Sequence, residues 1–365
     1  MRPIDVLVVD DSVVVRRLVT SVLESDPGIR VAGTAANGSI ALSKVQQLAP
    51  DAVTLDVEMP VMDGLATLKE LRRTHPRLPV VMFSTLTERA ATATLDALAL
   101  GASDYVTKPA NVGSVQAGMA SVRDQLIPKI KALCGQRAAP AAVAAPAPAV
   151  PHPAAPAGDL PARVDVLAVG ASTGGPDALA ALLPQLPADL PVPVVVTQHM
   201  PPVFTRLFAQ RLDTASALAV KEAEDGDVLQ PGLVLLAPGD RHLDLEAAGG
   251  QVRVRLSTAP PENYCRPAVD VMFRAVASAY GGRVLAVVLT GMGQDGARGA
   301  DVLRRAGAEV LVQDAATSVV WGMPGAVATA GLAHRVLPLP AVAADVVSVL
   351  RRGRAPQRLT AGSAS

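Results

Sequence analysis

The stretch VDVLAVGASTGGP, residues 164–176, decides the fold. Its apolar run reads as a strand buried on both faces, and Pro176 suits the first turn of a helix, where a missing N–H costs nothing. Between them lies a glycine-flanked serine, Ser172, on a turn that glycine makes sharp. Two later stretches repeat the design. PVPVVVT (191–197) runs into Gln198-His199-Met200-Pro201, and VLAVVLT (284–290) runs into Gly291-Met292-Gly293-Gln294-Asp295-Gly296. Serine, histidine and aspartate are thus offered at the same end of three predicted parallel strands. Open α/β sheets hold their sites at that edge, and these residue types supply a nucleophile, a base and an orienter.

Outward from this core, strand and helix signals keep alternating, with an inserted run of short strands and turns at 218–256. The upstream segment AAPAAVAAPAPAVPHPAAPAG (138–158) has too many prolines for an internal helix and reads as a semi-extended linker. It divides the chain into a first domain at about 1–133, a linker at about 134–159, a second domain at about 160–352 and a polar tail at about 353–365. The first domain alternates strands IDVLVVD, RVAGTAA, DAVTLD, PVVMFS and DYVTK with helices at about 13–24, 39–48, 64–74, 88–100 and 112–133. The fold class is therefore α/β: a five-stranded doubly wound N-terminal domain and a mostly parallel C-terminal one.

Composition narrows the function. Lys plus Arg and Asp plus Glu each total 33, so no basic surface for nucleic acid stands out, and aromatics at 2% give no base-stacking platform. No run suits a membrane span or a signal peptide, since the long uncharged stretch is the proline-rich linker. The two cysteines, Cys134 and Cys265, form neither a disulfide framework nor a metal spacing. A cytoplasmic location is the expectation.

In the first domain, Asp10 and Asp11 end one strand, Asp56 a second, Ser84 a third and Lys108 a fourth. Crowded carboxylates need a cation, and hard oxygen ligands suit Mg²⁺. A carboxylate beside Mg²⁺ can accept a phosphoryl group, which Lys108 and Ser84 can then pair with. Lys108-Pro109 is expected to be a tight turn, with a cis peptide considered. VVDDS, TLDVEMPVMDGL and VTKP resemble the receiver domain of two-component response regulators, a flavodoxin-like fold. The resemblance implies Asp56 as phosphoacceptor, Asp10, Asp11 and the Glu58 carbonyl as further Mg²⁺ ligands, Ser84 and Lys108 as the switch pair, and a histidine kinase as phosphodonor.

In the second domain the Ser172 loop lacks the Gly-Lys-Ser/Thr of a phosphate loop and is not G-x-S-x-G. Of the histidines, His199 alone follows an apolar run at the predicted edge; His242 falls among the inserted strands, and His75, His152 and His334 lie elsewhere. Asp295 could equally cap the helix that follows it. The glycines around Met292 leave its N–H available to an oxyanion. GASTGGP, QHMPPVFT, APGDRHL, CRPAVDVMF, LTGMGQDGARG and QDAATSVVWGMPGAV are together similar to the catalytic domain of the chemotaxis receptor methylesterases, the CheB family. The resemblance implies Ser172 as nucleophile, His199 as base, Asp295 as orienter and Met292 as oxyanion donor. It further implies no cofactor at the hydrolase site, and the cytoplasmic helices of methyl-accepting chemoreceptors as substrate, through ester hydrolysis and glutamine deamidation. Two rival readings are a phosphorylation-dependent binding protein with a vestigial site and a DNA-binding regulator. The complete Ser/His/Asp set opposes the first, and the lack of a helix-turn-helix opposes the second.

Overall fold

The computed structural model describes residues 2–109, 115–135, 161 and 163–352. The expected tail, and the expected linker apart from Cys134 and Gly135, lie outside the described residues.

The N-terminal unit is β1 (Ile4–Val9), α1 (Val13–Glu24), β2 (Ile29–Ala35), α2 (Gly38–Leu48), β3 (Ala52–Asp56), α3 (Gly64–Thr74), β4 (Val80–Ser84), α4 (Glu88–Ala99), β5 (Asp104–Thr107) and α5 (Val115–Gly135). Its strands form one parallel sheet in the order β2-β1-β3-β4-β5. Four of its helices, α1 to α4, begin where short polar side chains can cap them: Ser12, Asn37, Asp63 and Thr87 each accept from the backbone N–H three residues on. β1, β3 and β4 are buried along nearly their whole length, which is why they read as continuous apolar runs.

The C-terminal unit starts with β6 (Val166–Ala171), α6 (Gly175–Leu182), β7 (Val194–Gln198) and α7 (Phe204–Ala215). β8 (Ala219–Glu222) and β9 (Leu233–Leu236) follow, then a hairpin of β10 (His242–Ala248) and β11 (Gln251–Ser257). The chain continues through α8 (Val269–Tyr280), β12 (Val284–Val288), α9 (Ala297–Arg305), β13 (Glu309–Gln313), α10 (Met323–Thr329), β14 (Arg335–Leu337) and α11 (Leu339–Arg351). The inserted run thus divides: β8 and β9 extend the main sheet, and only β10 and β11 pair antiparallel. The sheet order is β14-β13-β12-β6-β7-β9-β8, parallel throughout. Its connections run one way from β6 and the other way from β12. The crevice outside the carboxyl ends of β6 and β12 is therefore a topological switch point, where ligands bind in such sheets.

Two expectations are corrected. The cis bond among the described residues is Arg266–Pro267, not Lys108–Pro109. Asp295 does not cap the helix after it; Gly296 occupies that position, and the carboxylate serves the start of α8 instead.

Candidate active site

Ser172 follows β6 by one residue, His199 follows β7 by one, and Asp295 lies in the loop between β12 and α9. Adjacent parallel strands bring these loops together. The Ser172 Oγ lies 3.1 Å from Nδ1 of His199, and Nε2 of the same ring lies 2.7 Å from Asp295 Oδ2. A carboxylate only accepts, so Nε2 carries the proton and Nδ1 presents a lone pair to the serine hydroxyl. The Cys265 Sγ sits 3.4 Å from the same Nδ1.

The serine turn is held by groups that sequence reading passed over. The Ser172 N–H donates to the Thr290 carbonyl, and Gly175 N–H donates to the Ser172 carbonyl at 2.7 Å. Gln198 Nε2 donates to that carbonyl as well, at 2.9 Å. The buried Thr290 hydroxyl donates to the Thr173 carbonyl and accepts from the Val320 N–H. Gly174 stands at φ 75, and a Cβ there would meet Val319 Cβ at 2.5 Å, so both conformation and space demand glycine. The nearby Met292 N–H donates to no acceptor among the described residues.

Asp295 is buried yet charged. It accepts from Val269 N–H at 2.7 Å, Asp270 N–H at 3.0 Å, Gly296 N–H at 3.0 Å and Asn263 Nδ2 at 2.8 Å, besides His199. Val269 and Asp270 open α8, whose own cap, Ala268, has no side-chain acceptor. The Asp295 carboxylate therefore satisfies free N–H groups at the positive end of that helix. Burial pushes its pKa up, but the His199 bond and the α8 amides outweigh burial and hold it below the usual carboxylate value. Burial conversely pulls the His199 pKa down; the Asp295 bond and Cys265 more than reverse this, and the net shift is upward. His242 is excluded as a base: its Nδ1 accepts from Ala268 N–H and its Nε2 meets the Pro260 carbonyl at 3.2 Å.

In the N-terminal unit, carboxylate oxygens of Asp10, Asp11 and Asp56 all lie within 4.8 Å of one another. Lys108 Nζ is 2.8 Å from both Asp10 and Asp56. Burial pushes Asp56 up to about 6 against the pull of Lys108. This all-oxygen, hard donor set fits Mg²⁺. Ser84 sits at the same edge, but its hydroxyl donates toward the carbonyls of Thr85 and Ala90 and accepts from Thr94 Oγ1 at 2.7 Å. The Glu58 carboxylate pairs with Arg89 at 3.2 Å.

The loop of Ser172 lies against a contact between the two units. Asp104 of β5 accepts a 2.6 Å hydrogen bond from the Thr173 hydroxyl, beside Ser172. The Tyr105 and Phe204 rings stack with centroids 4.8 Å apart. Arg211 of α7 donates to the Leu95 carbonyl at 2.9 Å and pairs with Asp96, and Arg206 pairs with Glu88. Val320 joins the apolar cluster of α1 and α5, with Met292 and Val319 packed against it. A groove of about 680 Å³ opens along Pro202, Arg206, Glu222 and Arg241, but none of the three residues Ser172, His199 and Asp295 lines it.

Comparison with known proteins matches residues 6–119 to the response regulator receiver domain and residues 167–346 to the CheB methylesterase. A protein-glutamate methylesterase/protein-glutamine glutaminase of a Nocardioides species is 55% identical over all of both chains. One from Trichodesmium erythraeum is 50% identical over 94% of this chain and 97% of its own. The solved CheB methylesterase catalytic domain of Thermotoga maritima is 44% identical, with a TM-score of 0.50, covering 51% of this chain and 98% of its own.

Proposed function

Because the chain belongs to the CheB methylesterase family, with a response regulator receiver domain ahead of its catalytic domain, we propose that it is a phosphorylation-activated serine hydrolase. It removes methyl esters from glutamate side chains of chemoreceptors and deamidates receptor glutamines. The observation that carries this reading is the continuous chain from Ser172 Oγ through His199 to Asp295.

In the proposed mechanism, Ser172 Oγ attacks the ester carbonyl as His199 Nδ1 takes its proton. Asp295 steadies the imidazolium through Nε2. The Met292 N–H, at the switch-point crevice, donates to the developing oxyanion. His199 then protonates the leaving methoxide, and methanol departs; with glutamine the leaving group is ammonia. Water, deprotonated by His199, releases the acyl group as glutamate and restores Ser172. Nothing in this sequence calls on a cofactor.

In the receiver, Asp10, Asp11 and Asp56, with the Glu58 carbonyl, are the residues that would hold Mg²⁺, which neutralises charge on the transferring phosphoryl oxygens. Asp56 is the phosphoacceptor and a histidine kinase the donor. Lys108 exchanges its carboxylate partners for the new phosphoryl oxygens, and Ser84 leaves Ala90 to join them. Ser84 is bonded to α4, and α4 meets α7. Phosphorylation is thus coupled to the contact that covers Ser172. No described helix is long and apolar enough to cross a membrane; we place the action in the cytoplasm, on the cytoplasmic helices of the receptors.

Methanol release from methylated receptor, with and without a small acyl phosphate and Mg²⁺, tests the proposal. The wild type is expected to release methanol faster when phosphorylated. Asp56→Asn keeps the basal rate without stimulation, and Ser172→Ala falls by roughly 10³-fold or more. A Ser172→Ala chain that keeps its rate would sink the mechanism.

A further inference from the structure

Glu262 and Cys265 close a tight turn through two backbone hydrogen bonds of 3.0 and 2.9 Å, with Asn263 at φ 52 and Tyr264 at φ 63 between them. Positive φ at both central residues is the signature of a type I′ turn, and asparagine tolerates that conformation better than most side chains. The amide of Asn263 turns inward. Its Nδ2 donates to Asp295 Oδ1 at 2.8 Å and to Asp270 Oδ2 at 2.9 Å. Its Oδ1 accepts from Arg298 Nη2 at 2.7 Å. One neutral amide therefore bridges two buried carboxylates and joins them to a guanidinium.

We propose that Asn263 is a positioning residue of the hydrolase: by donating to Asp295 it divides that carboxylate's charge between the turn and His199, and so sets how strongly the imidazolium is held. This inference rests on the catalytic reading of Ser172, His199 and Asp295.

Beside the Val269, Asp270 and Gly296 amides, Asn263 is the side-chain amide that donates to Asp295 among the described residues. Asp295 faces His199 from the β7 edge, Asp270 and the α8 amides from one side, and Asn263 from the turn. Arg298 reaches Asp270 at 3.4 Å and Glu262 at 3.4 Å, and Glu262 is bound to Arg274. Cys265, the last residue of the turn, touches His199 on its other nitrogen. The turn thus grips both the carboxylate and the ring. Two adjacent buried carboxylates repel each other, and a shared donor offsets that repulsion without adding charge. Removing the donor leaves the Asp295 charge less dispersed. A less dispersed charge binds the imidazolium more tightly, so His199 releases its proton at higher pH.

Asn263→Gly is the informative variant, because glycine keeps the positive-φ turn and removes the side chain with its amide. In the full-length chain, kcat for methanol release should fall about tenfold with KM little changed. The rate should be counted per serine reactive toward a phosphonylating agent, which removes any contribution from misfolded protein. The acid limb of kcat should move up by about half a pH unit. A ¹⁵N NMR titration of His199 should show the same upward displacement. Asn263→Asp, which replaces the donor by a further anion, should displace both further in the same direction. An acid limb and a His199 titration that stay in place, or move to lower pH, overturn the proposal. A wild type that releases no methanol would instead refute the catalytic reading, while the NMR titration still reports on Asn263.

Discussion

His199 meets the serine through Nδ1 and the aspartate through Nε2, so the ring's tautomer is set by Asp295 alone. In the proposed mechanism His199 works as the base only when deprotonated. Asp295 raises its pKa, so activity is lost as pH falls through that raised value. Asp295→Asn should therefore do two things at once. It should lower plateau kcat by roughly 10³- to 10⁴-fold, as wrong-tautomer variants of such triads do. It should also move what remains of the acid limb to lower pH, since the imidazolium loses its anion. A pH–rate profile of the variant measures both, and an acid limb moving upward would contradict the assigned partners.

At the level of elements, α8 and α9 hold each other by their first turns. Asp295, just ahead of α9 (Ala297–Arg305), accepts from the opening amides of α8, and Asp270 in α8 accepts from Gly299 of α9 at 2.6 Å. The carboxylate proposed to orient His199 is thus also a structural cap, which keeps it fixed before substrate arrives. The serine turn is equally constrained. Gly174→Ala would combine a left-handed alanine with a 2.5 Å approach to Val319. The expected cost is about 2–4 kcal/mol. In a domain of this size that lowers the melting temperature of the catalytic unit by roughly 4–16 °C. Calorimetry on the full chain checks it, and an unchanged melting temperature would mean that the turn relaxes freely.

Over the whole molecule, the receiver presents α4, β5 and α5 to the catalytic domain. The contact mixes a stacked ring pair, the buried Thr173–Asp104 bond and partly exposed ion pairs from Arg206 and Arg211. Exposed pairs contribute only about 0.2–1 kcal/mol each, so they trim the equilibrium rather than dictate it. Replacing both arginines by alanine should raise the unphosphorylated rate about two- to tenfold and shrink stimulation by the phosphodonor correspondingly. Added salt should raise the basal rate of the wild type in the same direction. A double variant with an unaltered basal rate would place the inhibitory energy in the apolar contact around Phe204 and Val320 instead.

Strand-end chemistry was legible without coordinates. Apolar runs ending at Asp10, Asp56, Ser84, Lys108, Ser172 and His199 declare parallel strands and their functional edge, because a strand buried on both faces admits polar groups only where it stops. The helix starts at Ser12, Asn37, Asp63 and Thr87 are local in the same sense, each made by a side chain and an amide three residues away. Asn263, Asp270, Gln198 and Thr290 carried no such signal. Their partners lie far along the chain, and a lone asparagine in a turn reads the same whether it faces water or a buried carboxylate. The imidazole's orientation, the cap that Asp295 gives to α8 and the contact of Thr173 with Asp104 were likewise decided only in three dimensions. Periodicity and caps record neighbours in sequence; these bonds exist because the packed sheet order brings β6, β7, β12 and the receiver's β5 to one place.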